Sequence, residues 1–467
     1  VIAIRLSENE VRAKVMYTPE VCSQARNSRD ARFDGLFFVA VKSTGIYCRP
    51  ICPAPAAKEK NVEYFQFAHN AAQAGFRPCI RCRPDSAPGS YAWLGTETTA
   101  VRAKKLIDEG ALIRHSTEDL ADRLGISVRY LNKVFNHYFG TSPKQYALYK
   151  QCDLAKQLLQ QSDLPVTQVA FAAGFNSLRR FNDAFQKLYQ LSPSQLRKDA
   201  GSGSAIAIYL SYRPPYNWDK MQQFLAMRIV PGIEWLTEYS YGRTVMIQGE
   251  TGRFTATIEP EKHRFKVAIA LSDLSLLVPM IAQIRRVLDL DADTCFIESH
   301  LHEAAPDLPL QEGLRLPGIW SEFEAGMRAI LGQQISVQAA RNLLALLVET
   351  LGEVAEDGMR YFPKPKAVFD SDLAFFKMPE RRKAAIKAFA EQYVGSEHVE
   401  LDNWLNIKGI GPWTVDYAKM RGLSHPDIYL GGDLGVKKAM EKSLKTIDIE
   451  KCAPFRSYLT FQLWQQL

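Results

Sequence analysis

The chain has 467 residues, 46% hydrophobic and 23% charged, with 24 Pro and 28 Gly; at roughly 100 to 200 residues per domain this predicts about three or four domains and excludes a disordered or collagen-like chain. The net charge of +7 is unevenly spread, with 28 Lys and Arg against 18 Asp and Glu in residues 1–200 and 30 against 33 in the remainder. A basic first part fits attraction to nucleic acid or an anionic surface, although a modest surplus also occurs on inert solvated faces.

From the N-terminus, residues 1–15 alternate apolar residues with Arg5, Glu8, Glu10, Arg12 and Lys14, and no run of about 18 apolar residues follows anywhere. The expectation is a cytoplasmic chain with neither signal peptide nor membrane span. The first segment ends in the loop-like stretch 83–89. A helical segment follows over residues 96–199 and closes on Gly201-Ser202-Gly203-Ser204, a flexible linker by composition. Beyond it, alternating β-branched stretches such as Phe254-Thr255-Ala256-Thr257-Ile258 read as strands, and from Trp320 onward the patterning is mostly helical.

The cysteines are Cys22, Cys48, Cys52, Cys79, Cys82, Cys152, Cys295 and Cys452, half of them in one 35-residue window. Cys48-x3-Cys52 and Cys79-x2-Cys82 offer four thiolates in two close pairs, which suits a closed tetrahedral zinc site better than a disulfide framework or an iron-sulfur cluster. By spacing alone such a site is structural. Its flanks, Asp34-Gly35-Leu36-Phe37-Phe38-Val39-Ala40-Val41, Thr44-Gly45-Ile46-Tyr47-Cys48-Arg49-Pro50 and Gly75-Phe76-Arg77-Pro78-Cys79-Ile80-Arg81-Cys82, resemble the methyl-acceptor domain of the Ada family. The resemblance implies that one zinc-bound thiolate, by motif position Cys48, takes the methyl group of a DNA methylphosphotriester and acts once. Zinc with four thiolates carries two net negative charges, and a thioether leaves one, so methylation is expected to favour DNA binding.

Within the helical segment Ser142-Pro143-Lys144-Gln145 recurs as Ser192-Pro193-Ser194-Gln195 and Phe135 as Phe185. Each copy runs from a helix with small residues through Gly125 or Gly174 into a second helix, a helix-turn-helix twice over. The pair resembles AraC-type DNA-binding domains, with Gln190 where that family usually has glycine. Recognition helices beginning near Ser127 and Ser177 would present Arg129, Asn132 and Lys133, and Arg179, Arg180 and Asn182, to bases or phosphates. Which bases are read is not legible.

In the last part, Leu405-Asn406-Ile407-Lys408-Gly409-Ile410-Gly411-Pro412-Trp413-Thr414 reads as a helix-hairpin-helix whose Gly409 and Gly411 let backbone N–H groups approach a phosphate. Tyr429-Leu430-Gly431-Gly432-Asp433-Leu434-Gly435 follows, its Asp433 twenty residues after Trp413. With Ala329-Ile330-Leu331-Gly332-Gln333-Gln334-Ile335-Ser336-Val337, Gly313-Leu314-Arg315-Leu316-Pro317-Gly318 and Tyr212-Arg213-Pro214-Pro215-Tyr216-Asn217-Trp218, these stretches resemble the AlkA subfamily of helix-hairpin-helix DNA glycosylases over residues 205–467. That resemblance implies release of alkylated purines such as 3-methyladenine, with Asp433 beside the developing sugar cation and Trp413, Tyr417 and Trp464 around a flipped cationic base. It also implies that Gln334 fills the gap left in the duplex, in place of a leucine, and that the carbonyls of Leu405, Ile407 and Ile410 hold Na+ or K+. Trp413 stands where strand-cleaving relatives carry lysine, so base release without strand cleavage is expected. A single Cys452 near the C-terminus offers no iron-sulfur site, and no Pro-Cys-His-Arg sequence of an alkylguanine transferase is present.

The expected architecture is multidomain α+β. It comprises a small zinc α/β domain at 1–89, an all-α double helix-turn-helix at 95–200, an AlkA-type N-terminal α+β domain at 205–318 and an all-α helix-hairpin-helix domain at 319–467. Expected partners are double-stranded, alkylated and promoter DNA and RNA polymerase, for a nucleoid-associated bacterial monomer. The competing reading is a regulator with a structural zinc and an inactive glycosylase-like half.

Overall fold

The computed structural model describes residues 17–29, 33, 37–52, 54–66, 68–79, 81–82, 84, 96–197, 206–396, 399–442 and 447–466. The N-terminal stretch 1–15, residues 34–36 of the first motif, most of the loop at 83–89 and the linker at 201–204 lie outside them. Contacts group the chain into two compact units, 1–147 and 148–467. Among the described residues no helix is long and apolar enough to cross a membrane.

In the first unit, α1 (Pro19–Ser28) begins where the Thr18 side chain accepts from the Val21 N–H, with Pro19 at a position whose missing donor is no loss. β1 (Phe38–Val41) is apolar throughout because both its faces are covered. Phe38 and Ala40 share a cluster with Tyr47 and with Ala71 of α2 (Ala68–Gln73), while Phe37 and Val39 meet Cys22 and Ala25 of α1. β2 (Ile46–Cys48) and β3 (Val62–Phe65) flank β1 antiparallel, and β4 (Arg77–Pro78) adds in parallel, giving the order β3-β1-β2-β4. The first helix-turn-helix follows. Behind it lies α3 (Thr96–Asp108), whose Ala103 and Ile107 pack on Leu120 and Ala121 of α4 (Thr117–Arg123) and on Leu131 and Phe135 of α5 (Val128–Phe139). Ser116 and Asp119 cap α4 reciprocally, and Gly125 makes the turn at a φ of 68°.

The division between the units falls within α6 (Pro143–Gln161). The second helix-turn-helix, α7 (Val166–Ala172) and α8 (Leu178–Tyr189), repeats the first locally, down to the serine cap: Ser177 accepts from Arg180 N–H as Ser127 does from Tyr130 N–H. Its core does not stop at the repeat. Val169, Ala170, Phe181 and Phe185 belong to the same buried cluster as Ile206, Ile208, Phe254 and Phe265 of a five-stranded antiparallel sheet. That sheet has the order β5-β9-β8-β7-β6, built from β5 (Ile206–Ser211), β6 (Glu234–Leu236), β7 (Ser240–Ile247), β8 (Glu250–Glu259) and β9 (Arg264–Leu271). β5 is an edge strand, and two glutamines of α6 satisfy its backbone. Gln157 Nε2 donates to Tyr209 O at 2.7 Å, and Gln161 Oε1 accepts from Tyr209 N–H at 3.0 Å. α9 (Trp218–Ala226) links β5 to β6, and α10 (Leu277–Val287) buries Leu277, Met280, Ile284 and Val287 at helical spacing in the same cluster.

The helical remainder comprises α11 (Thr294–Ala304), α12 (Glu322–Gly332), α13 (Val337–Leu351), α14 (Pro365–Asp370), α15 (Glu380–Gln392), a 3-10 segment over Leu401–Asn406, α16 (Pro412–Gly422), α17 (Leu434–Lys442) and α18 (Arg456–Trp464). α12 runs through its centre. Gly326 there is a packing requirement, since a Cβ would lie 2.2 Å from the Phe389 ring and 2.9 Å from Trp404. Four buried charges fasten α12 to the sheet. Arg243 of β7 pairs with Glu324 at 2.8 Å, and Arg328 pairs with Glu324 at 2.6 Å and with Glu234 of β6 at 2.8 Å. The Tyr241 hydroxyl donates to Glu234 at 2.7 Å.

The architecture is multidomain α+β with the expected classes of module. Within residues 148–467 the second helix-turn-helix shares its core with the sheet, and the charge network ties that sheet to α12.

Candidate functional site

Strand register assembles the cysteines. β2 ends on Cys48, and the pairing of Tyr47 with Pro78 brings β4 alongside, so that Cys79 N–H donates to Tyr47 O at 3.0 Å. A turn folds Cys52 back, its N–H donating to Arg49 O. The four sulfurs lie within 4.8 Å of one another, with Cys52 and Cys79 3.9 Å apart. A tetrahedron with metal–sulfur bonds of about 2.3 Å has edges of about 3.8 Å, so these residues fit a zinc ion. Four thiols this close also need a cation in order to ionise together. Cys48 is pushed up by sharing hydrogen bonds with Cys52 and Cys82, while Cys52 is held down to about 2 by donation from Cys48. Cys52, Cys79 and Cys82 are buried; Cys48 is half-exposed. The cluster is a zinc centre with one sulfur open to an incoming group.

The helix-turn-helix residues stand at the N-terminal ends of α5 and α8. Arg129, Lys133, Arg179, Arg180 and Asn182 are exposed, and Asn132 is half-buried with its Nδ2 donating to Val128 O at 3.0 Å. Gln190 closes α8 at a φ of 58°, the left-handed conformation that Gly140 takes at 66° after α5. The departure from glycine therefore leaves the turn intact at the cost of a strained residue.

The third constellation centres on Asp433, placed by the tight turn before α17. Its Oδ1 accepts from the N–H groups of Gly435 and Val436 at 2.9 and 3.1 Å, so the carboxylate caps the helix. Two indoles close on it: Trp464 Nε1 donates to Oδ1 at 3.0 Å and Trp413 Nε1 to Oδ2 at 3.2 Å. Trp413 and Tyr417, one turn apart on α16, stack with centroids 5.3 Å apart and planes 26° apart. Trp464 lies nearly parallel to Phe224 of α9, at 6.2 Å and 17°.

The hairpin and the loop after α12 are joined by a residue that the motif reading passed over. Gln333 Nε2 donates both to Gly409 O and to Thr414 Oγ1, each at 3.1 Å. Gly409 turns at a φ of 102°, and Gly411 leads into α16. Gln334 is exposed at a φ of 59°. Of the three hairpin carbonyls, that of Ile407 accepts from Ile410 N–H at 3.0 Å, and the carbonyl oxygen has a second lone pair. The two upstream motifs prove to be scaffold. Asn217 N–H donates to Gly313 O at 2.8 Å, and Arg315 donates to Asp289 O, Ala292 O and Pro215 O at 2.8–3.0 Å.

Also missed were Phe224, Arg228 and Arg421. Arg421 was open to reading, since it continues the four-residue spacing of Trp413 and Tyr417 on one helix face. Phe224 on α9 and Arg228 just past its end lie 209 and 205 residues upstream of Asp433, and no local pattern connects them to it.

Residues 21–85 match the metal binding domain of Ada, residues 120–199 a helix-turn-helix domain and residues 207–321 the AlkA N-terminal domain. The chain is 34% identical to a probable bifunctional transcriptional activator/DNA repair enzyme AlkA of Mycobacterium tuberculosis, over 96% of each chain. It is 29% identical to the DNA-3-methyladenine glycosylase 2 of Escherichia coli, over 55% of this chain and 95% of that one. With the bifunctional transcriptional activator/DNA repair enzyme Ada of Escherichia coli it shares 34% identity, over 32% of this chain and 40% of that one.

Proposed function

We proceed from the fact that this chain belongs to the family of bifunctional transcriptional activator/DNA repair enzymes, and we propose how its residues divide that work. The chain repairs alkylated DNA and regulates transcription. It is a DNA-3-methyladenine glycosylase that also carries a cysteine methyl acceptor and helix-turn-helix DNA-binding units.

Cys48 is the methyl acceptor. Its sulfur attacks the methyl carbon of a methylphosphotriester, the S–C bond forms as the C–O bond breaks, and an ordinary phosphodiester leaves. Zinc, when bound, keeps the sulfurs deprotonated at neutral pH. Cys52, Cys79 and Cys82 hold the site in place, and Cys48 as its half-exposed member is the one a phosphate can reach. Mass spectrometry after incubation with methylated DNA should find one added methyl on Cys48; none there would make the site purely structural.

Base release belongs to the Asp433 site. The observation that carries this reading is a carboxyl group that accepts from two indole N–H groups, beside a stacked aromatic pair. Asp433 stabilises positive charge developing on the sugar and orients water, while Trp413, Tyr417 and Trp464 surround the flipped base. No lysine stands at position 413, so the strand is left intact. Gln334 enters the duplex, and Gly409 and Gly411 present backbone donors to a phosphate, with Na+ or K+ at the carbonyls of Leu405, Ile407 and Ile410. The exposed residues of α5 and α8 read promoter DNA, the chain works as a nucleoid-associated monomer, and RNA polymerase is its partner in activation. Asp433→Asn should lower release of 3-methyladenine from duplex DNA by about 100- to 1,000-fold while DNA binding persists. If neither protein releases base while both bind DNA, the chain is a regulator with an inactive glycosylase-like half.

A further inference from the structure

The aromatic site around Asp433 contains two cations that the chemistry of a positively charged base does not call for. The Arg228 guanidinium lies over the Phe224 ring, 3.8 Å from its centroid, with Nη1 donating to Phe224 O at 3.3 Å. The Arg421 guanidinium is 4.7 Å from the same ring and 5.8 Å from that of Tyr417, and its Nη1 donates to the Tyr417 hydroxyl at 3.4 Å. Phe224 in turn lies along Trp464, which holds Asp433. Among the described residues neither arginine makes an ion pair, and Asp433 and Arg228 act on one another only through space. Arg421 is 3% exposed and fixed by its bonds to Pro317 O and Tyr417. Arg228, just past the end of α9, is only partly buried and so is the one that can meet a base. Burial brings it down to about 10, with Tyr417 pulling the other way and Arg421 adding repulsion, so it is charged at neutral pH.

We propose that Arg228 is a selectivity residue of the glycosylase, its charge assisting departure of uncharged damaged bases and opposing entry of bases that are already cationic. The proposal rests on the glycosylase reading above. When the C1′–N bond breaks, its electron pair goes to the base. An uncharged base leaves as an anion, which a guanidinium stabilises and solvent afterwards protonates. A base alkylated at a ring nitrogen is cationic while attached and leaves neutral, so the same guanidinium repels it on entry and gives its departure no anion to stabilise. In both cases water adds to C1′ and gives up its proton to solvent. Stacked as it is on Phe224, Arg228 occupies a ring surface that a flipped base would otherwise use, and its charge acts at the base and not at the sugar.

The test measures single-turnover base release and its half-saturation for wild type, Arg228→Gln and Arg228→Lys. The duplexes carry either 3-methyladenine, cationic when attached, or hypoxanthine, which is uncharged. Arg228→Gln should slow hypoxanthine release by about tenfold or more and tighten half-saturation for 3-methyladenine, while Arg228→Lys keeps the wild-type ratio between the lesions. Parallel losses on both lesions, a lysine variant whose ratio matches the glutamine variant, or a wild type that releases methyladenine but no hypoxanthine would each overturn the proposal and leave the glycosylase reading standing. A wild type that releases neither base overturns both.

Discussion

Asp433 and Asp289 show how differently two carboxylates of one unit are treated. Asp433 receives four N–H donors, two from the backbone of α17 and two from indoles. Burial pushes the Asp289 carboxyl up to about 7, against the Leu316 N–H at 2.9 Å, Arg315 and the Tyr458 hydroxyl, which all favour its ionised form. The native state therefore binds this proton more tightly than the unfolded chain does. Its stabilising effect is full below an unfolded carboxylate value of about 4 and is lost as pH rises through about 7. Wild type should lose stability between about pH 4 and pH 7 in urea denaturation, and Asp289→Asn should flatten that slope; equal slopes would mean the proton is not held there. Nothing in the sequence around Asp289 marks it, because its value depends on neighbours from residues 315, 316 and 458.

At the scale of elements, local signals work where an element's environment is its own repeat. Ser127 and Ser177 cap the two recognition helices, and the offset between copies is legible because each copy needs the same cap, turn and buried aromatic. The charge network is the opposite case. Glu234, Arg243, Glu324 and Arg328 sit on three elements and look like surface residues in sequence, yet side chains here are 1% to 10% exposed. Burial drives the Glu234 carboxyl up, but Arg328 and Arg243 outweigh it and hold it down to about 2. Removing one partner strands buried charge on the others, which costs about 3–5 kcal/mol. Glu324→Ala should lower unfolding stability by that amount in chemical denaturation, because Glu234 is left as the carboxylate partner of both Arg243 and Arg328; a loss under about 1 kcal/mol would show that water reaches the site. The edge strand β5 is a gentler instance, where Gln157 and Gln161 complete a backbone that no strand pairs on that side.

For the molecule as a whole, the surplus of ten positive charges in residues 1–200 coincides with the zinc domain and the paired helix-turn-helix. Residues 201–467 carry a slight negative excess and still include the glycosylase, which can grip phosphates through hairpin N–H groups and a few cations. Whole-chain charge alone would have missed this second DNA-facing half. On the proposal that Cys48 is the methyl acceptor, its methylation removes one negative charge from the four-sulfur cluster, so the methylated protein should bind operator DNA more tightly at low salt, the difference shrinking as salt rises. Equal affinity of the two forms throughout a salt titration would sink the electrostatic account.

The sequence by itself determined the local constellations: the spacing of Cys48, Cys52, Cys79 and Cys82, the duplicated helix-turn-helix, and Trp413 and Tyr417 one helical turn apart with Asp433 twenty residues beyond Trp413. These are local patterns, set by backbone geometry over a few dozen residues at most, and they can be read without a partner. Only the tertiary structure decided what meets them from afar. It left Cys48 half-exposed among buried sulfurs, merged the second helix-turn-helix with the sheet, bound Gln333 to the hairpin, and set Arg228 over Phe224 beside Trp464. Such contacts join residues separated by tens to hundreds of positions, and the close packing that creates them follows from burying several elements at once, which no single stretch of chain encodes.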